Sequence, residues 1–196
     1  MTSRLLKALR KTMLVTLTVG TVAVASLWLT SWALEPEPFG EAVAPDPSRY
    51  SDAVIRVYGA NVWGLRGKFA IHTWIAVKAK NAATYTIYQV IGWRLRRTGT
   101  VVSVSEGDPA KPWFGSKAIL LHDVHGDRAE ALIDRVRDAA ERYPFEREYT
   151  MWPGPNSNSF VAWVGLEVPE LGLKLPAKAV GQSWMQQNYA AIKDRI

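Results

Sequence analysis

The sequence predicts an α+β protein, with an antiparallel sheet packed by two or three helices and one transmembrane helix before it. Two observations predict the domain: the alternating apolar segments typical of strands come first, within residues 52–124, and amphipathic helical patterns follow from residue 127. A third observation, an uncharged apolar run at residues 13–34, predicts the membrane helix. We find no internal repeat.

Residues 1–12 form a basic segment, which we expect to lie in the cytoplasm. The whole chain of 196 residues has a formal net charge of +6, and Arg4, Lys7, Arg10 and Lys11 supply four of these charges. The remainder is therefore near +2, with 20 basic against 18 acidic residues. Because polyanion binding needs a concentrated basic face, no nucleic-acid partner is expected.

Residues 13–34 are predicted to anchor the protein in a membrane. As a helix they would extend roughly 33 Å, enough to cross a bilayer core of about 30 Å. Trp28 and Trp32 stand where interfacial aromatic residues belong, and the positive-inside rule places the following domain in the periplasm or outside the cell. The alternative is a cleaved signal peptide ending at Ser31-Trp32-Ala33, but the run exceeds the usual apolar length of about 7–15 residues.

Residues 35–50 carry four prolines and are predicted to form a stiff, extended linker. The domain itself is predicted to occupy residues 51–196. The chain contains no cysteine, which excludes disulfides, thiolate metal sites and cysteine catalysis.

The strongest predicted strand, residues 68–80, has two apolar faces and is therefore expected at the centre of the sheet. Thr73 shares one face with isoleucines and valine, whereas His72 shares the other with Trp74 and alanines. A break at Asn81 predicts a hairpin with the next strand. The other candidate strands are residues 52–59, 84–93, 99–105 and 117–124.

Three helices are predicted in the second half of the chain. Residues 127–143 show one apolar stripe, with Asp127 and Glu130 as an acidic capping box and Pro144 as the stop. A second helix should begin within residues 156–166, and a third is expected in residues 181–193.

Ser157 is a candidate nucleophile at the start of the second helix. It shares an apolar helical face with Phe160, Val161 and Val164, so it should point to the edge of the core. Helix N-terminal amides, here those of Ser157 and Asn158, can hold an oxyanion. A serine needs a base, and His72 is the best-placed histidine. The structural alternative is that Ser157, Asn156 or Asn158 caps the helix and His72 is a core residue.

A third group would orient the imidazole, and the next strand offers Gln89 or Tyr88, which point to opposite faces. Trp74 and Trp113 are expected to line a substrate groove beside His72. Asn156, Asn158 and Trp152, on the segment around Ser157, are the other candidate substrate-binding residues.

Two further clusters suggest binding but favour simpler interpretations. His122 and His125 have metal-ligand residue types, yet their segment is better explained as the turn before the helix, so no metal or other cofactor is expected. Arg94, Arg96 and Arg97 are more simply a solvated loop than a contact for lipid phosphates.

Three segments, "HTWIAVK", "WPGPNSNSFVAWV" and "VPELGLKLP", resemble an uncharacterised bacterial domain family without assigned activity. Its most specific motif is WPGPNSN-x-Phe. A more distant resemblance is to circularly permuted papain-like proteins, such as lecithin retinol acyltransferase-like enzymes. In those proteins a histidine opens a central strand and Asn-Cys-x-x-Phe begins a later helix.

The papain-like resemblance implies a permuted papain-like core in which His72 matches the histidine and Ser157 replaces the cysteine. Together with the predicted anchor at residues 13–34, it implies a membrane-anchored envelope protein that acts as a serine-dependent acyl or amide hydrolase or transferase. Because a hydroxyl does not ionise as a thiol does, the alternative is a non-catalytic module that binds an envelope peptide, glycan or lipid.

Overall fold

A computed structural model describes residues 43–196 and confirms the α+β class. The strands are β1 (Val54–Asn61), β2 (Ile71–Lys78), β3 (Tyr85–Val90), β4 (Val102–Gly107) and β5 (Ile119–His125). The helices are α1 (Leu95–Thr98), α2 (Gly126–Glu141), α3 (Ser157–Glu167) and α4 (Gln182–Lys193), with 3₁₀ turns at Gly64–Lys68, Gly92–Arg94 and Pro169–Leu171.

All five predicted strands form one antiparallel sheet in the order β4-β3-β2-β1-β5. Every residue of β2 is buried, in agreement with its predicted central place. β1 lies between β2 and β5, and its register pairs Ala60 with His72 and Gly59 with Ile119. The β2–β3 hairpin is also confirmed, and Asn81 in its turn has a positive φ of 60°.

The sheet buries both of its faces. The helix face contributes residues such as Ile55, Ile75 and Val77 to a core shared with α2, α3 and α4. The opposite face, which we call the loop face, buries Tyr58, Trp74 and other residues under loops. Burial on both sides explains why β2 carries apolar residues at nearly every position.

Residues 43–50, predicted as the end of an extended linker, pack against the loop face. Arg56 Nη1 donates to the carbonyl of Val43 at 2.7 Å, and the Tyr85 hydroxyl donates to the carbonyl of Pro45 at 3.0 Å. Ala44 and Tyr50 pack against the buried apolar cluster of this face. This part of the linker therefore covers the sheet.

The predicted capping box at the start of α2 is wrong. The helix begins at Gly126, directly after β5, and its N-cap residue His125 makes no side-chain cap bond. Asp127 lies inside the first turn, and the Glu130 carboxylate accepts a hydrogen bond from the Lys80 amide. The Gly126 amide donates to the Ala53 carbonyl, so the sheet fixes the helix start.

The predicted basic segment 1–12, anchor 13–34 and first part of the linker lie outside the described residues. Within residues 43–196, no helix is both long and apolar enough to span a bilayer.

Candidate functional site

Asn156, at the end of the proline-rich turn, caps the N-terminus of α3. Its side-chain oxygen accepts hydrogen bonds from the amides of Asn158 at 2.9 Å and Ser159 at 3.1 Å, as an N-cap residue does. Its Nδ2 donates to the carbonyls of Met151 and Val180. Asn156 therefore fastens the proline-rich turn to the segment before α4.

Asn158 lies in the first turn of α3 and is almost fully buried. Its Nδ2 donates to the Ile71 carbonyl at 3.0 Å and to the Val180 carbonyl at 2.8 Å. Its Oδ1 accepts from Thr73 Oγ1 at 2.9 Å. Both amide protons are thus used inside the domain, so Asn156 and Asn158, predicted to contact substrate, hold three chain segments together instead.

The structure does not bring the predicted nucleophile and base together. Thr73 faces the start of α3, with its Oγ1 3.4 Å from the carbonyl oxygen of Ser157. Neighbouring residues of a strand point to opposite faces, so His72 lies on the loop face, away from Ser157. The regular β1–β2 register confirms this alternation.

The backbone around Ser157 is also partly engaged. The Asn158 amide, predicted to help hold an oxyanion, already donates to the Asn156 cap. The Ser157 side chain itself is buried, and within residues 43–196 its hydroxyl makes no hydrogen bond. An unbonded hydroxyl at a helix N-terminus is the one feature left of the predicted catalytic arrangement.

His72 is held by Gln89 and by aromatic rings. His72 Nε2 lies 3.1 Å from Gln89 Oε1, and because an amide oxygen only accepts, Nε2 carries the proton. The Trp113 ring stacks on the imidazole with centroids 3.9 Å apart and an interplanar angle of 8°. The Trp74 ring lies beside both, with its centroid 5.8 Å from that of His72 and 6.3 Å from that of Trp113. The structure therefore places Gln89, Trp74 and Trp113 beside His72, on the face opposite Ser157.

Burial lowers the pKa of His72 to about 4, and the hydrogen bond to Gln89 opposes this only in part. The imidazole is therefore neutral at pH 7. Only 5% of His72 is exposed, so a ligand cannot reach the ring without displacing Trp113. These properties are those of a structural histidine.

We expect acid to destabilise the domain through His72. Between pH 6.5, the ordinary pKa, and about 4, the unfolded chain binds a proton that the folded domain excludes. Stability attributable to His72 therefore falls as the pH falls through this range, by at most about 3 kcal/mol.

Urea unfolding at pH 7 and pH 4.5 measures this loss. Between pH 7 and pH 4.5, the free energy of unfolding of His72→Gln should fall by about 2–3 kcal/mol less than that of the wild type. The contributions of the acidic residues, which both proteins share, cancel in this comparison. Equal losses in the two proteins would show that His72 is not buried in its neutral form.

Beyond Trp113 the aromatic cluster reaches the surface. The Trp93 ring lies 5.8 Å from Trp113 and 5.4 Å from Phe114. Trp93 is 51% exposed and Phe114 is 62% exposed. Trp93 was not among the residues predicted to bind, although a tryptophan directly after Gly92, where the predicted strand ends, indicated a surface aromatic residue.

Trp152, predicted to contact substrate, lies in the proline-rich turn, and 74% of its surface is exposed. The peptide bonds before Pro153 and Pro155 are both cis. Next to Trp152, the Met151 sulfur lies 3.7 Å from Arg66 Nη1. This tryptophan is thus a surface residue near the β1–β2 loop and does not line a groove with His72.

The other two histidines, His122 and His125, bond to separate parts of the domain. His122 Nε2 donates to the Leu171 carbonyl at 2.9 Å, whereas His125 bonds the Tyr50 hydroxyl and the Asp123 carboxylate. Burial lowers the pKa of His122. In the part of the chain that the structure describes, no three potential metal ligands lie together.

The fold and this site define a small α+β domain whose polar residues at the start of α3 maintain its architecture and whose aromatic residues reach solvent. The chain belongs to the family described as "Protein of unknown function (DUF3750)", whose model matches residues 52–184. No curated protein matches the chain, and no solved structure matches it. Membership agrees with the resemblance to an uncharacterised family, whereas the papain-like relationship stays a prediction.

Proposed function

We propose that this protein is a membrane-anchored, non-catalytic binding module of the cell envelope. One observation carries the proposal: β2 presents Thr73, and not His72, to the start of α3. A threonine hydroxyl cannot accept a proton from Ser157 at neutral pH, and a serine without a base is a weak nucleophile.

The surface aromatic residues next to His72 support a binding role. Trp93 and Phe114 are exposed, and Trp113 beneath them is fixed by its stack on His72. Large exposed apolar side chains that lie together mark interaction sites more often than isolated ones do. Aromatic rings held rigidly lose little conformational entropy on binding, so this cluster suits an envelope peptide, glycan or lipid.

The location rests on the sequence of the leader. The uncharged run 13–34 would hold the protein in the inner membrane as a single-pass anchor, and the basic residues before it orient the domain toward the periplasm or outside. The lipid bilayer, contacted through this helix, is therefore one partner of the proposed protein.

A serine-dependent hydrolase is the second candidate function, favoured by the unbonded hydroxyl of Ser157. Ser157→Ala separates the two functions. For a binding module we expect no hydrolysis above background by either protein, tested on p-nitrophenyl esters and N-acyl p-nitroanilides with the full chain in detergent. We also expect the free energies of unfolding of the wild type and Ser157→Ala to agree within about 1 kcal/mol, because the substitution removes no hydrogen bond. Hydrolysis by the wild type that disappears in Ser157→Ala would overturn the proposal.

Binding is tested directly with Trp93→Ala in the full chain, with Ile196→Ala as the matched control. Ile196 is 67% exposed but follows α4, far along the chain from the aromatic cluster. Probes, each added to the full chain in detergent, are an N-acetylglucosamine tetramer, a short peptidoglycan stem peptide and a short-chain phosphatidylglycerol. We expect Trp93→Ala to weaken binding of one probe at least fivefold and Ile196→Ala to leave it unchanged. Absence of binding to all three would refute the binding role.

A further inference from the structure

We propose that one end of the sheet binds the surface of an anionic phospholipid bilayer. This inference rests on the proposed binding function and names its ligand. We call this region the strand-end surface and define it by six exposed apolar residues: Trp63, Leu65, Phe69, Trp93, Phe114 and Trp152.

The topology brings these residues to the same end of the sheet. β1 ends at Asn61 and its antiparallel partner β2 begins at Ile71, so residues 62–70 form a loop there. β3 ends at Val90 beside the start of β2, and residues 91–101 leave at the same end. Asn158 bonds the Ile71 carbonyl, which places the start of α3 and the turn before it at this end too.

Contacts between the loops confirm the placement. Arg66 Nη1 lies 3.7 Å from the sulfur of Met151, which joins the β1–β2 loop to the turn before α3. The rings of Trp93 and Phe114 lie 5.4 Å apart and join the loop after β3 to the loop before β5. Trp113, next to Phe114, stacks on His72 near the start of β2.

The exposure of these side chains is unusual for a protein surface in water. Trp63 is 73% exposed, Leu65 is 79% exposed and Trp152 is 74% exposed. Tryptophan is the side chain that prefers the membrane–water interface, because its ring is apolar and its N–H is polar. Loops that carry tryptophan, leucine and phenylalanine therefore match the headgroup region of a bilayer.

Basic residues lie among the apolar ones. The 3₁₀ turn between β1 and β2 carries Arg66 and Lys68, and α1 carries Arg96 and Arg97; all four are exposed. The acidic residues of the turn near α3 are Glu146, which pairs with Arg147 at 3.4 Å, and Glu148. Positive charge therefore exceeds negative charge here, which favours anionic lipid, with each basic residue near such a surface adding to the attraction.

The chain before residue 43 favours a membrane over a soluble ligand. Eight residues, 35–42, separate the predicted anchor from the described domain. Fully extended, they reach at most about 29 Å. An anchored domain would therefore stay close to the bilayer, and this tethering gives even weak surface contacts a high effective concentration.

Hydrogen–deuterium exchange of the full chain with phospholipid nanodiscs tests the proposal. The nanodiscs contain phosphatidylcholine alone or phosphatidylcholine with phosphatidylglycerol. We expect amides of residues 62–70 and 149–156 to exchange at least fivefold more slowly with the anionic lipid, while α4 is unchanged. High salt should remove most of the difference, because it screens the attraction.

Two variants assign the protection to the strand-end surface. Trp63→Ala with Trp152→Ala, or Arg96→Gln with Arg97→Gln, should each abolish at least half of the slowing, while Ile196→Ala should not. Because these side chains are exposed, the variants are expected to fold normally, which their melting temperatures check.

Other outcomes identify other ligands. Protection by inorganic phosphate alone would indicate a phosphate site and overturn the lipid surface. Protection by the glycan or the peptide would overturn lipid binding but keep the binding module. Protection that grows with protein concentration in detergent would indicate a second copy of the chain and overturn the proposal. Exchange unaffected by every probe would overturn both the lipid proposal and the binding function.

Discussion

Replacing Asn158 by alanine is expected to lower the free energy of unfolding by about 3–5 kcal/mol. The substitution removes three hydrogen bonds: the Ile71 carbonyl loses this donor in the interior, while the Val180 carbonyl keeps the hydrogen bond from Asn156 Nδ2. Each buried polar group without a partner costs about 1–3 kcal/mol, and Thr73 Oγ1 keeps only its longer contact, 3.4 Å, to the Ser157 carbonyl. The effect should therefore exceed that of an ordinary buried polar residue.

Urea unfolding followed by far-UV circular dichroism measures this loss, with Ser157→Ala as the matched control. The two positions are adjacent and both are buried, but within the described residues the Ser157 hydroxyl bonds to nothing. A difference between the variants of less than about 1.5 kcal/mol would contradict the structural role assigned to Asn158.

Replacing Gly181 by alanine is expected to lower the free energy of unfolding by about 2–4 kcal/mol. Gly181 has a φ of 109°, which a residue with a Cβ adopts only under strain, and a Cβ there would collide with the side-chain amide of Asn156. The added atom would displace Asn156, and the cap of α3 would be lost with it. Strain contributes about 1–2 kcal/mol and the lost cap about as much.

Gly99→Ala is the control for the backbone strain alone. Its φ of 74° is also positive, but a Cβ added to Gly99 would have no atom within 4 Å beyond its chain neighbours. We expect a loss of about 1–2 kcal/mol there. Gly181→Ala and Asn156→Ala should not add when combined, because both remove the same cap. Equal losses at Gly181 and Gly99 would refute the proposed collision.

Local patterns were enough to predict most of the secondary structure. Alternation in β2 assigned His72 and Thr73 to opposite faces, and the polar residues before Phe160 marked a helix start that the structure confirms. Such patterns succeed because strand alternation and capping depend on residues close together in the chain.

The site was harder to predict because it depends on which face of β2 receives α3. Both faces are apolar, with Ile75 on one and Trp74 on the other, so periodicity could not choose between them. The hypothesis of a Ser157–His72 pair required the wrong choice. The hydrogen bond from Asn158 to the Val180 carbonyl could not be predicted either. Every residue has a backbone carbonyl, so the amino-acid type at position 180 does not indicate that its carbonyl accepts this bond.

The place of β1 between β2 and β5 has a consequence for synthesis. β1 ends at Asn61 and β5 begins at Ile119, so one edge of β1 has no partner until 57 more residues have been made. At about 5–20 residues per second this takes roughly 3–11 seconds, during which an apolar edge is open to other chains. Arg56, which later pairs with Asp123 on β5, puts a charge on that edge in the meantime. The arginine that forms this ion pair in the finished sheet therefore first protects the nascent chain against aggregation.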